Sequence, residues 1–147
     1  MNKQPTYKYI LSDGGKRDSG YWTEQNDCTV RALAHFLTIP YPLAHTMLAL
    51  AGRRMGKGFD LYHWLEQRQT HLHIARLEAL EFRRGKFRPY TLGNFLRTQK
   101  QGVYLLGNRT HCYCVKDGVL IDSWFPGEKT RVQHVFVLQQ SKGETRQ

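Results

Sequence analysis

Residues 111–124 read HCYCVKDGVLIDSW, and the punctuation inside this stretch decides the architecture. HCYCVK and VLIDSW are short runs rich in β-branched and aromatic residues, the composition of strands. Asp117-Gly118 between them is a strong signal for a two-residue hairpin. In such a hairpin Lys116 faces Val119, so Tyr113 faces Asp122 and His111 faces Trp124. His111 and Tyr113 share a face, which leaves Asp122 diagonal to His111 and within reach of its ring. Working outward, VYLLGN precedes the hairpin and VQHVFVLQ follows it, both with the same strand-like composition. An antiparallel sheet is therefore expected toward the end of the chain.

Upstream the hydrophobic period changes. Residues 21–31 read YWTEQNDCTVR, and Val30, Leu33, Ala34 and Leu37 follow at i, i+3, i+4 and i+7, the apolar stripe of a helix. Asn26 or Asp27 suits its N-cap, and Pro40 stops it. Asp27 and Arg31 stand four apart in the favourable acid-first order. A second helix is expected over 41–51, ending at Gly52, and a third within FDLYHWLEQRQ, with Leu61, Trp64, Leu65 and Arg68 on one side. TLGNFLRTQ predicts a short helix with Leu92, Phe95 and Leu96 inward and Gly102 beyond its end. A short strand is expected in YKYILS, before the turn signal Asp13-Gly14-Gly15, and another around HIARL, followed by a basic loop. Helices first and strands after them predict an α+β domain, its N-terminal helices packed on a C-terminal antiparallel sheet. With no internal repeat, low-complexity tract or linker, residues 1–147 read as one domain.

Composition narrows the function classes. The chain is 23% charged and 40% hydrophobic, the balance of a globular protein and not of a disordered one. No apolar run is long enough to span a membrane, so no membrane partner is expected. The start, MNKQPTYKYILSDGG, lacks the apolar segment of a secretory signal. Three cysteines are an odd number for a disulfide framework, and Cys112 and Cys114 cannot bridge each other within one strand. A reducing, cytoplasmic compartment is expected. The net charge of +10 is densest in RRMGK at 53–57 and RRGKFR at 83–88. It suits an acidic protein or peptide partner, or nucleic acid, and a solvated surface explains it as well. Nucleic acid is the weaker of the two partner classes. The basic residues do not interleave with aromatics, and no RNP, zinc-finger or helix-turn-helix signature is present.

The candidate chemistry lies in three residues. Cys28 falls in the first turn of its helix, where unpaired N–H groups and the positive end of the macrodipole favour a thiolate. The same N–H groups can donate to an oxyanion during acyl transfer. Asp122 would fix the tautomer of His111, whose other ring nitrogen would deprotonate Cys28. Taken singly, a small buried cysteine, a structural histidine and a common hairpin explain each residue; their conjunction in this order points to a nucleophile, a base and an orienting acid. Trp124 would shield the His–Asp pair or simply fill the core. His134 is a second candidate for the base. His35, His45 and His63 suit structural or exposed positions, and His71 and His73 share a strand face at the surface. No metal is expected, because alternation turns Cys112 and Cys114 away from His111 and no CxxC exists elsewhere. No cofactor is expected either.

The order Cys28, His111, Asp122 resembles the papain-like cysteine peptidase superfamily, with Asp122-Ser123-Trp124 standing where papain relatives carry Asn-Ser-Trp. More narrowly, SDGGKRDSGYW, NDCTVRALA and NRTHCYCVKDGVLIDSW resemble a group of small, largely uncharacterised papain-fold proteins of phages and bacteria. These stretches leave 53–90 outside the likeness. The resemblance implies a papain-like fold, with Cys28 as nucleophile, His111 as general base and acid, and Asp122 as orienting carboxylate. It implies a thiol hydrolase, a peptidase or isopeptidase, working through an acyl-enzyme in the cytoplasm, that of the host for a phage-encoded chain. One departure stands out: papain relatives place a glutamine a few residues ahead of the cysteine as oxyanion donor, and Trp22 occupies that position. Gln25, Asn26 or the backbone N–H of Cys28 would have to substitute. The same triad serves amidases and acyltransferases. A non-catalytic basic module binding nucleic acid or a host protein is the alternative on this fold.

Overall fold

In the computed structural model residues 7–21, 23–83, 86–124 and 126–139 are described, with backbone alone for 80–89. The elements in chain order are β1 (Tyr9–Leu11), a 3-10 turn (Arg17–Ser19), α1 (Cys28–Leu37), α2 (Tyr41–Leu50), α3 (Leu61–Glu66), α4 (Gln69–Leu72), β2 (Ile74–Leu77), β3 (Leu80–Arg83), β4 (Lys86–Thr91), α5 (Leu92–Thr98), β5 (Val103–Gly107), β6 (Cys112–Lys116), β7 (Val119–Asp122), β8 (Arg131–Val132) and β9 (His134–Leu138). Helices and strands coexist as an α+β fold.

The β6–β7 hairpin forms as its turn dictates. Asp117 (φ 47°) and Gly118 (φ 82°) are both left-handed, the requirement of a tight turn whose twist matches the strands. Lys116 pairs with Val119, Val115 with Leu120 and Cys114 with Ile121, the expected register. α1 ends at Leu37, short of Pro40. Thr38 takes a left-handed conformation (φ 55°) and its N–H returns to the last turn. Pro40 instead opens α2 as its N-cap.

The sheet differs from the antiparallel, C-terminal one expected. Its six strands run in the order β1-β7-β6-β5-β9-β2. β1 lies parallel to β7, with Leu11 opposite Asp122, so the sheet is mixed. β2, from the middle of the chain, closes the other edge antiparallel to β9. Both additions cover sheet edges whose N–H and C=O groups would otherwise be unpaired. The basic stretch 83–88 is not a plain loop: β3 and β4 form a hairpin, and β8 completes a separate three-stranded sheet. His71 and His73 do not share a strand face. His71 belongs to α4, and His73 caps that helix with φ 56°.

β6 is buried on both faces, which is why HCYCV carries apolar residues without a polar alternation. Its odd and even positions serve two cores. Cys112 and Cys114 join Val30, Leu33 and Phe36 of α1 on one side. Tyr113 and Val115 join Leu92, Phe95 and Leu96 of α5 on the other. Each large apolar side chain fully buried here contributes about 1.5–3 kcal/mol. With α1 packed directly on β6, the first turn of the helix is fixed beside the first residues of the strand.

Candidate active site

Cys28 is the first residue of α1, half-buried at the end of the sheet. Asp27 occupies the N-cap position but does not cap, because three donors draw its carboxylate away. Tyr41 Oη donates at 2.6 Å, Lys16 Nζ lies at 3.3 Å and the Arg31 guanidinium pairs with it, as the i, i+4 spacing predicts. Asp27 therefore leaves the helix's first N–H groups beside Cys28 uncovered.

A short turn built on Asn108 presents His111. Its Oδ1 accepts from the Thr110 N–H (3.0 Å), the Thr110 hydroxyl (2.9 Å) and the His111 N–H (3.2 Å). This is the self-bonded turn that asparagine favours. Tyr62 Oη donates to the Asn108 carbonyl at 2.7 Å and lies 3.2 Å from that of His111. Gly107 makes this crowding possible: a Cβ there would stand 2.7 Å from Cys112 Cα and collide with the His111 carbonyl and the Tyr62 hydroxyl.

His111 Nε2 meets Asp122 Oδ2 at 2.6 Å, and both side chains are largely buried. Asp122 is itself held, since its Oδ1 accepts the Ser123 N–H at 2.7 Å and its carbonyl accepts the Ser12 N–H at 2.8 Å. With Nε2 engaged, Nδ1 is the ring nitrogen left to serve Cys28. Trp124 lies 4.5 Å from the imidazole, ring centre to ring centre, while half of its own surface stays open to solvent.

The site's electrostatics follow from these contacts. The Cys28 thiol is held down at about 4, chiefly by the Cys112 S–H, which donates toward it across 4.0 Å. Burial opposes that shift and the hydrogen bond with His111 adds to it. For His111 burial pulls the other way, but the Asp122 carboxylate and Cys28 outweigh it and raise the imidazole to about 9. Between those limits the stable form is a thiolate beside an imidazolium, the species that attacks a carbonyl and then protonates what leaves. Cys112, deprived of an easy proton release by Cys28 and by burial, is pushed well above the ordinary thiol range.

Cys28 and His111 open onto a cavity of about 210 Å³, walled by Thr29, Phe59 and Tyr62, with Asn26 and Arg109 also on its lining. Of the two side chains considered for the oxyanion, Asn26 reaches this cavity, although its Nδ2 donates to the Gly56 carbonyl at 2.8 Å. Gln25 is exposed and not part of the lining. Trp22 lies outside the described residues. Thr29, which no sequence signal marks, lines the same wall, and its buried hydroxyl has no partner among the described residues. His134, the second candidate base, stacks on Tyr62 at 4.0 Å, meets Arg76 at 3.0 Å and does not line the cavity. Larger cavities exist, one of about 600 Å³ beside Arg76 and Arg131, but no nucleophile lines it. Among the described residues no group of His, Cys, Asp or Glu is arranged to hold a metal ion.

A second network stood outside the sequence reading. Glu24 Oε2 meets His45 Nε2 at 2.6 Å and Arg53 Nη1 at 3.1 Å, and its Oε1 accepts the Gly56 N–H. Burial works against the charge on Glu24, but Arg53, His45 and the backbone donors win and hold its carboxyl at about 2. Tyr21 stacks on His45 at 4.0 Å. This network ties the residues just ahead of Cys28 to the 53–56 loop. Its traces in the sequence are His45, which suits a structural position, and Arg53, one arginine within a basic cluster. No protein-family model, no curated protein and no solved structure matches the chain.

Proposed function

We propose that this chain is a thiol-dependent hydrolase that cleaves an amide, a peptide or isopeptide bond, through an acyl-enzyme on Cys28. One observation carries the reading: a single imidazole, His111, has a carboxylate 2.6 Å from one nitrogen and a half-buried thiol in the same cavity as its other partner. The Cys28 thiolate attacks the carbonyl carbon and a C–S bond forms. The oxyanion faces the first N–H groups of α1, with Asn26 and Thr29 on the adjoining wall. His111 passes its proton to the amine as the C–N bond breaks. The neutral imidazole then takes a proton from water, hydroxide attacks the acyl carbon, and the C–S bond breaks to release the acid. Asp122 keeps the ring oriented and supports its charge throughout. The order of the three residues along the chain and the helix-to-sheet placement of nucleophile and base accord with the papain-like resemblance. Arg109 is exposed on the cavity lining, and Lys57 is exposed next to Gly58 of that lining in the chain, which favours an acidic protein or peptide substrate. Three free thiols suit a reducing compartment, and we assign the reaction to the cytoplasm, that of the host for a phage-encoded chain.

The test is iodoacetamide alkylation near pH 6, with the modified cysteine located by mass spectrometry. An ordinary thiol, with a pKa of about 8.5, is protonated there. Selective labelling of Cys28, lost in His111→Ala, is expected. Labelling no faster than a free thiol and indifferent to His111 would overturn the reading and leave a basic binding module as the better account. In that case steeply salt-dependent nucleic-acid binding, unchanged in Cys28→Ala, would identify its partner.

A further inference from the structure

Acyl transfer as written makes no covalent use of Cys112, yet Cys112 Sγ lies 4.0 Å from the nucleophile's sulfur. It is 3% exposed, the first residue of β6, and faces the helix that carries Cys28. Both cysteines border the cavity, but Cys28 is half-buried while Cys112 is almost fully enclosed, so Cys28 is the thiol more open to a small solute. A disulfide needs the two sulfurs about 2.05 Å apart, a closure of about 2 Å from their present separation. All three cysteines are free thiols, and Cys114, the other one on this face, is enclosed in the core.

We propose that Cys28 and Cys112 form a dithiol site for hydroperoxides, in which Cys28 is oxidised and Cys112 resolves it to an intramolecular disulfide. In the first step the Cys28 thiolate attacks the terminal peroxide oxygen. An S–O bond forms, the O–O bond breaks, and the alkoxide or hydroxide that leaves takes a proton. In the second step the Cys112 sulfur attacks the sulfenic sulfur, an S–S bond forms and the S–O bond breaks. The departing hydroxide takes the Cys112 proton and leaves as water. Two thiols give up two electrons, and the peroxide is reduced to alcohol and water. The disulfide keeps Cys28 from passing on to sulfinic acid, which ordinary thiols do not reverse. The chemistry needs only a reactive Cys28; its meaning as a reversible off-switch rests on the acyl-transfer reading.

The experiment uses the full reduced chain, an equimolar dose of hydrogen peroxide, a thiol-blocking quench and peptide mapping. The expected result is loss of two free thiols, a Cys28–Cys112 linked peptide, and full recovery with dithiothreitol. In Cys112→Ala, Cys28 should instead gain one oxygen as a sulfenic acid that dithiothreitol still reduces, and excess peroxide should carry it on to sulfinic acid that does not recover. Oxygen on Cys28 in the wild type while Cys112 remains blockable, or a link to Cys114, would overturn the proposal whether or not the variant folds. Alkylation run in parallel separates the two readings. Fast, His111-dependent labelling without a disulfide removes the dithiol site alone. A disulfide with slow, His111-independent labelling keeps the dithiol site and removes the hydrolase.

Discussion

Two histidine–carboxylate pairs of equal length flank Cys28, and they differ in everything but length. His45 meets Glu24 at 2.6 Å, and His111 meets Asp122 at 2.6 Å. Glu24 shares its charge with Arg53 and the Gly56 N–H, and Tyr21 covers the His45 ring. His111 instead shares a cavity with a thiol. A short contact to a carboxylate does not make a base. What matters is the neighbour of the remaining ring nitrogen and the number of other donors that divide the carboxylate. The first pair is a rivet, and on the proposed reading the second is a proton carrier.

Substitutions can break this contrast, the largest effect first. In His111→Ala the alkylation rate of Cys28 near pH 6 should fall about 100-fold as the thiol returns toward its ordinary value of about 8.5, because above the working pH each further unit of thiol pKa costs tenfold in thiolate. The unfolding midpoint should move less than it does for the buried pair. An unchanged rate would mean that the Cys112 hydrogen bond alone sustains the thiolate. In Glu24→Gln the balance should reverse. Arg53, with 1% of its side chain exposed, loses its charge partner, and unfolding free energy should drop by about 3–5 kcal/mol in urea titrations. The folded carboxyl titrates at about 2, below its ordinary 4.5, so the native state binds fewer protons than the unfolded one. Stability from Glu24 is thus present above about 4.5 and is lost as pH falls toward 2. The variant should lack that slope, and an unaltered acid slope would assign it to other carboxylates.

Gly107→Ala should damage both properties together. A methyl group forced against backbone atoms costs about 1–3 kcal/mol and displaces the His111 carbonyl, so Cys28 labelling should slow in step with the lost stability. Stability lost at full labelling rate would show that the histidine turn adapts independently. The smallest effect belongs to Tyr62→Phe, which removes one hydroxyl from the Asn108 and His111 carbonyls. A loss of about 1 kcal/mol in thermal unfolding is expected, with labelling slowed less than tenfold.

The legible half of the site is the half encoded locally. Asp117-Gly118 specifies its own backbone, that backbone specifies the register, and the register brings Asp122 to His111. Val30, Leu33 and Leu37 announce the helix, and its start places Cys28. The illegible half depends on burial assigned by the whole fold. Nothing near Arg53 distinguishes it from Arg54, yet one is buried against Glu24 and the other is exposed. Asp27 looks like a cap and acts as a buried acceptor, because Tyr41 from the next helix reaches it. The strand in YKYILS was legible, but its parallel pairing was hidden for the same reason: its partner β7 lies at the far end of the chain. Alternation correctly separated Cys112 from Tyr113, but only the helix laid across that face shows that Cys112 meets Cys28.

The parallel pairing of β1 with β7 also sets a timetable. Leu11 lies opposite Asp122, and the Ser12 N–H bonds the Asp122 carbonyl. On a growing polypeptide the segment leading to Cys28 emerges early, and the strand that receives it emerges late. Contacts so distant in sequence form only after the intervening chain is available. During translation Cys28 thus leaves the ribosome before His111 and Asp122 are placed beside it, as an ordinary thiol. The contacts with Cys112 and His111 that lower its thiol are made only once the sheet has closed.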